Sequence, residues 1–293
     1  MDWPDAVVLR DVSPRHGLAA VAEPVDTAVK AALVDGLAQA GLGRVEVTGF
    51  VDPARYPQFA DAADLMARIP RRSHTTYSAW VLDAAGAERA FALRLDEVTV
   101  GLGATETYQR GLGAAGLAEA LVALEGIIQA GRARSVPVGV RLACAFSCPY
   151  EGHVAEATVM ELAWRLYGIG VREITLDDTT GRAEPGAVQS RVRMLRTNLP
   201  GLLVGLSLRD TYGTALANML AGLDAGVSHF DVALGGIGPQ GGVLATEDAV
   251  FLLRAMGVST RIDFDHVLAV GDVLEREVQP LPSRARRAHR CSG

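Results

Sequence analysis

Short β-rich runs alternate with Ala/Leu-rich helical stretches along nearly the whole chain, and this repetition restricts the fold more than any other feature. The strand candidates are "AVVLRDV" from Ala6, "RVEVTGF" from Arg44, "TTYSAWVL" from Thr75, "EVTVGLG" from Glu97, "PVGVRLACAF" from Pro137, "REITLDD" from Arg172, "LLVGLSLR" from Leu202 and "HFDVAL" from His229. Each is followed by a helical pattern, such as "GLAEALVALEGIIQAG" or "TALANMLAGLDAG", and glycines in "AGLGR", "YGIGVR", "AGVSH" and "MGVST" mark helix ends just before the next strand. Eight consecutive strand-helix units predict an α/β fold with a parallel sheet, closed as a (β/α)8 TIM barrel. A ninth helical stretch, "RIDFDHVLAVGDVLEREV", is expected as an additional C-terminal helix on the outside. With no linker visible, residues 1–280 read as a single domain and residues 281–293 as a basic, flexible tail.

At 293 residues and 49% apolar content, the chain can bury a core of that size. The net charge of -6 is spread along the sequence, and only "RARRAHR" near the end is a basic run, so no nucleic-acid-binding stripe is expected. The opening "MDWPDAVV" has no basic and apolar leader pattern, and no run of 18 apolar residues is present. The expectation is a cytoplasmic protein with no membrane partner. Three cysteines, Cys144, Cys148 and Cys291, suggest neither a disulfide framework nor a zinc spacing; Cys144 reads as an inert buried thiol, whereas Cys148 is open to a role. Lys30 is the only lysine, and its helical pattern reads as a surface helix. Imine chemistry needs a lysine amine in the pocket, so Schiff-base aldolases and pyridoxal phosphate enzymes are nearly excluded.

A barrel of this kind carries its chemistry at the C-terminal ends of its strands. Those ends hold Arg10, Asp11, Arg15 and His16 after the first strand, Glu46 on the second, Asp177 and Asp178 on the sixth, and Ser207, Arg209 and Asp210 on the seventh. The eighth leads into "GGIGPQGG", whose Gly236 and Gly238 are candidates for cradling a phosphate.

Six ordered segments between Val7 and Gly257 make the chain resemble the 3-hydroxy-3-methylglutaryl-CoA lyases of the DRE-TIM metallolyase superfamily: "VSPRHGL", "VEVTGFVDPARYPQFAD", "SCPYEGH", "DDTTG", "DTYGTALANML" and "LATEDAVFLL". The resemblance implies that Arg15 polarises a substrate carbonyl, that Glu46 and Asp178 stand at the family's strand-two and strand-six acids, and that Glu247 is the acid of its L-A-T-E-D segment. It also implies a divalent ion held by an aspartate, two histidines and an asparagine. At those positions this chain has His16, Ser207, Arg209 and Val243, and its glycine loop lacks the family's cysteine. No cofactor is therefore expected, and a metal is expected to be absent. Arg209 then stands where it can replace the ion's charge.

The resulting expectation is a divergent carbon-carbon lyase or aldolase working through an enolate. Arg15, His16, Glu46, Asp178 and Arg209 would be catalytic, and Asp11, Ser207, Asp210, Gly236, Gly238 and Glu247 would bind substrate. A small carboxylate or an acyl-CoA is the expected partner, and a homo-oligomer is left open. Two alternatives stand beside this: an isomerase or dehydratase on the same scaffold, and a non-catalytic relative in which Arg209 plugs the vacated site with Asp11, Asp178 or Asp210.

Overall fold

The computed structural model describes residues 3–113 and 115–292. All eight expected strands form, and they close into one parallel barrel. In chain order the strands are β1 (Val8–Asp11), β2 (Arg44–Phe50), β3 (Thr76–Val81), β4 (Glu97–Gly103), β5 (Val138–Ala143), β6 (Ser147–Cys148), β7 (Gly152–His153), β8 (Glu173–Asp177), β9 (Leu203–Ser207) and β10 (His229–Val232). The barrel order is β1-β10-β9-β8-β5-β4-β3-β2, while β6 and β7 make a separate hairpin beyond the mouth of β5.

Side-chain alternation along these strands divides the molecule into two environments. Outward positions such as Val98, Val100, Leu102, Val140, Leu142, Ile174, Leu176, Val204 and Leu206 are buried against the helical ring. Each such aliphatic contributes about 1.5–3 kcal/mol of burial. The inward positions are unusually polar for a barrel of this class, whose interior is commonly filled by layers of branched apolar residues. Here Arg10 reaches Asp231 at 2.7 Å, Thr175 at 3.0 Å and Thr99 at 3.3 Å inside the barrel.

The added helix Phe264–Glu277 packs on the first helix, Thr27–Gln39, so closely that a Cβ on Gly36 would lie 2.9 Å from Val270 Cγ2. Lys30 lies on that first helix and is buried rather than exposed. Its ammonium donates to Gln58 O at 2.5 Å and to Asp61 Oδ1 at 2.9 Å, because the loop after β2 folds over it. It remains outside the barrel mouth.

The basic end differs from a flexible tail. Arg284–Ser292 is a helix seated on acids of the two preceding helices: Arg286 is 2% exposed and donates to Leu268 O and Asp272, and Asp248 accepts from Ser283 Oγ and Ala285 N, each at 2.7 Å. Among the described residues no single helix is long and apolar enough to cross a membrane.

Candidate active site

An unbroken series of ion pairs runs down the barrel interior. At the top Arg15 pairs with Glu46, whose Oε2 also accepts from Arg141 Nη1 at 3.1 Å. Arg141 Nη2 lies 2.5 Å from Asp231 Oδ2, and Asp231 Oδ1 accepts from Arg10 Nε at 2.7 Å. Arg10 then reaches Glu173 at 3.4 Å, Glu173 reaches Arg44 at 2.8 Å, and Arg44 reaches Glu97 at 2.6 Å near the barrel floor. Positive and negative charges alternate at every step. In a water-poor interior this pairing is what keeps each charge tolerable.

Above the series lies a cavity of about 180 Å³ whose polar wall includes Arg15, His16, Arg141, Asp177 and Arg209, with Tyr108 beside them. Tyr56, Phe59, Trp80 and Leu112 make its apolar side. Trp80 carries the Arg15 guanidinium 5.0 Å from its ring centroid, a cation–π contact that fixes the arginine's plane. Gly101 makes this possible, since a Cβ there would meet Trp80 Nε1 at 2.5 Å.

His16 has a defined protonation state. Arg15 Nη1 lies 3.2 Å from His16 Nδ1, and a guanidinium can only donate, so Nδ1 accepts. Burial holds the imidazole well below its ordinary pKa, and the charges of Arg15 and Arg209 push it further down. The ring is therefore neutral with its proton on Nε2, and that buried atom has no hydrogen-bond partner among the described residues. His16 thus carries its one N–H on a buried, unpartnered Nε2 next to Gly238, and with Nδ1 engaged it holds no spare lone pair.

Arg209, just past β9, donates from Nη1 to Pro239 O, which ties the glycine loop over the mouth, while its buried Nε is unpartnered. Asp177, at the end of β8, accepts from Thr179 Oγ1 at 2.9 Å, and burial raises its carboxyl against the opposing charge of Arg209. Ser207, on the inward face two residues before Arg209, is aligned with Asp177 and Asp231 in the sheet register.

Several sequence expectations are displaced. Asp178 follows Asp177 and so takes the opposite face; both of its oxygens accept from Ala183 N, and burial lifts it to about 6. Asp11 likewise leaves the interior to Arg10: it binds Ser13 N at 2.8 Å and Thr246 Oγ1 at 2.6 Å, and burial lifts it to about 6. Asp210 caps Ala215 N and pairs with Arg284. Glu247 accepts from Gly235 N at 2.7 Å behind the loop. These four position backbone and do not line the cavity.

Gly236 also lies behind the loop, where a Cβ would meet Val243 O at 3.1 Å, whereas Gly238 backs directly on the His16 ring. The N–H groups of Gly236, Ile237 and Gly242 donate to carbonyls of the same segment and that of Gly235 to Glu247, which leaves the loop little of a phosphate cradle. Arg141 and Asp231 go unnoticed in the sequence, while Arg10 and Asp177 are placed at strand ends there without a role in the site. A second cavity, of about 740 Å³, adjoins the first at Gln240 and is walled by the β6–β7 hairpin, Arg182 and Arg191. Cys148 lies in its wall, buried, with its sulfur accepting from Thr105 Oγ1 at 3.2 Å.

Residues 6–274 match the family model described as HMGL-like. The chain belongs to the HMGL-like family. Rat mitochondrial hydroxymethylglutaryl-CoA lyase is 36% identical over 277 residues, covering 92% of this chain and 85% of the rat protein. The Bacillus subtilis HMG-CoA lyase crystal structure superposes with a TM-score of 0.96 at 32% identity, over 99% of this chain and all of that one. An Acinetobacter baumannii HMG-CoA lyase, solved with coenzyme A and 3-methylmalate, gives 0.93 at 29% identity over 98% and 96% of the two chains. In this HMGL-like protein, as in the barrel enzymes generally, the cavity sits at the C-terminal ends of the strands.

Proposed function

We propose that this HMGL-like protein is a metal-independent carbon-carbon lyase or aldolase that forms an enolate beside a carbonyl. The observation that carries the reading is the convergence of Arg15, Arg209 and the neutral His16 ring on one small cavity that Asp177 also lines. Fixed donors of this type stabilise a developing oxyanion without reorganisation.

The donor set at the resemblance's four ligand positions does not fit a divalent ion. Val243 offers no donor, Arg209 repels a cation, the neutral hydroxyl of Ser207 binds one weakly, and His16 has its Nδ1 lone pair engaged by Arg15 and a proton on Nε2. No group of three His, Cys, Asp or Glu residues arranged to hold a metal occurs among the described residues. The chemistry is accordingly assigned to side chains alone.

In that reading Asp177, as carboxylate, takes the proton from a substrate hydroxyl. The bond between the hydroxyl-bearing carbon and its neighbour opens, leaving a new carbonyl on one fragment. The bonding pair moves onto the oxygen of the other fragment as an enolate, held by Arg209, Arg15 and His16 Nε2–H. Asp177 then returns the proton to the enolate carbon. The substrate is a small hydroxy acid or an acyl-CoA, in line with the coenzyme A and 3-methylmalate of the Acinetobacter relative. The adjoining cavity offers room for a longer acyl carrier.

Steady-state turnover on a panel of 3-hydroxyacyl-CoAs and hydroxy acids tests the reading. Arg209→Gln is expected to lose roughly two to three orders of magnitude in kcat, and Arg209→Lys less. A folded Arg209→Gln protein with undiminished turnover contradicts it.

A further inference from the structure

Arg44 lies near the end of the charge series remote from the lyase cavity, and a third cavity opens there. Its volume is about 310 Å³, and it lies where β4, β5, β8 and β9 begin, at the opposite end of the barrel from the C-terminal mouth. Its wall holds four arginines, Arg10, Arg44, Arg132 and Arg172, against two acids, Glu97 and Glu173. Both acids are already paired: Arg44 lies 2.6 Å from Glu97 and 2.8 Å from Glu173, and Arg10 lies 3.4 Å from Glu173. The surplus positive charge therefore belongs to Arg132 and Arg172, neither of which has a carboxylate partner among the described residues.

These two arginines stand at the rim, exposed yet fixed. Arg172 stacks on the Tyr167 ring, 4.3 Å from its centroid, and donates from Nη1 to Tyr167 O at 3.0 Å and to Val171 O at 2.8 Å. Arg132 lies across Gly170, whose left-handed backbone (φ 103°) ends the helix Glu156–Ile169; a Cβ there would collide with Arg132 Nη2. Its one contact to this helix end, Nη2 to Gly170 O, is long at 3.4 Å. A guanidinium has five N–H groups, so with two engaged on Arg172 and one on Arg132, three and four are left. Arg44 holds the glutamates with Nε and Nη2, and its Nη1 makes no hydrogen bond among the described residues.

Three arginines with unused N–H groups thus line one cavity that carries surplus positive charge. This suits an acceptor with several oxygens and two negative charges. The rest of the wall is apolar, made by Ile128, Val136, Pro137 and Leu203. The volume is roughly that of ten waters, more than a bare inorganic anion fills.

We infer that this cavity is a binding site for a small organic phosphate monoester, its dianionic head held by Arg44, Arg132 and Arg172 and its organic body laid against Ile128 and Pro137. With both glutamates paired, no side chain in the cavity is free to act as acid or base, and the site serves binding alone. It requires nothing of the reaction proposed for the other end of the barrel.

The experiment is calorimetric titration of the purified protein at pH 8, where a phosphate monoester carries close to two charges. The probes are phenyl phosphate, benzenesulfonate, which has the same ring and one charge, and inorganic phosphate, which has the charge and no ring. Wild type is expected to bind phenyl phosphate about tenfold or more tightly than either of the others. The double variant Arg132→Gln, Arg172→Gln, checked for folding by circular dichroism, is expected to lose at least about tenfold in phenyl phosphate affinity, and each single variant part of that. Arg209→Gln is expected to bind phenyl phosphate as wild type does, which separates this site from an anion taken up at the C-terminal mouth. No phenyl phosphate binding in wild type, equal affinity for the three probes, binding undiminished in the double variant, or binding lost in Arg209→Gln overturns the inference.

Discussion

Arg15 donates to His16 Nδ1 across 3.2 Å, and this contact decides which nitrogen of the imidazole carries the proton. With Nδ1 engaged as acceptor and the ring held neutral, His16 acts as an electrophilic donor, and proton movement falls to Asp177. Nitrogen-15 NMR of histidine-labelled protein is expected to show the Nε2–H tautomer with no titration of His16 between pH 6 and 8. His16→Phe, which keeps the ring's bulk and removes the donor, should lower kcat by roughly a hundredfold. A His16 that protonates near pH 6.5 would contradict the assignment.

Asp231 joins the two halves of the interior charge series, since Arg141 and Arg10 both depend on it. Asp231→Asn leaves Arg141 with Glu46 alone and Arg10 with Glu173 alone, and should lower unfolding free energy by about 3 kcal/mol in urea titration, the low end of the cost of breaking a buried pair. A loss below about 1 kcal/mol would mean that the series contributes little to stability.

Glu247 gives a pH dependence of definite sign. Burial lifts its carboxyl from 4.5 to about 7, opposed by the hydrogen bond from Gly235 N and by Arg286 at 3.7 Å. The folded state then holds a proton that the unfolded chain releases as pH climbs from about 4.5 to 7. The associated stability is present below 4.5 and lost as pH rises through 7. Comparison of urea midpoints at pH 5 and pH 8 should show Glu247→Gln flattening the wild-type slope by a few kcal/mol. A slope identical in the two proteins would refute this.

The barrel was legible because each strand-helix unit carries its own local signal, and every unit appears where the alternation of "RVEVTGF"-like runs and Ala/Leu stretches predicts it. The resemblance located Arg15, His16, Glu46 and Arg209, which the structure brings together. It misled at Asp178, where strand parity alone favours Asp177: the latter shares the inward face with Thr175, which binds Arg10. The same parity marks Arg141 and Asp231, charges set in the middle of apolar strands, as interior residues. Their partnership spans 90 positions and depends on barrel closure, which no local pattern encodes. The docking of Arg284–Ser292 was illegible for a related reason, because Asp248, Asp272 and Glu275 become its counter-ions only after three helices have packed.

The central claim is that arginine and a neutral histidine stabilise the enolate without a metal. The most direct measurement is turnover of exhaustively chelated protein, assayed with and without added magnesium, manganese or zinc on the substrate that the wild type cleaves. The account predicts that kcat is unchanged by chelation and does not rise when any of the three ions is restored. Activity that disappears with chelation and returns with metal would contradict it.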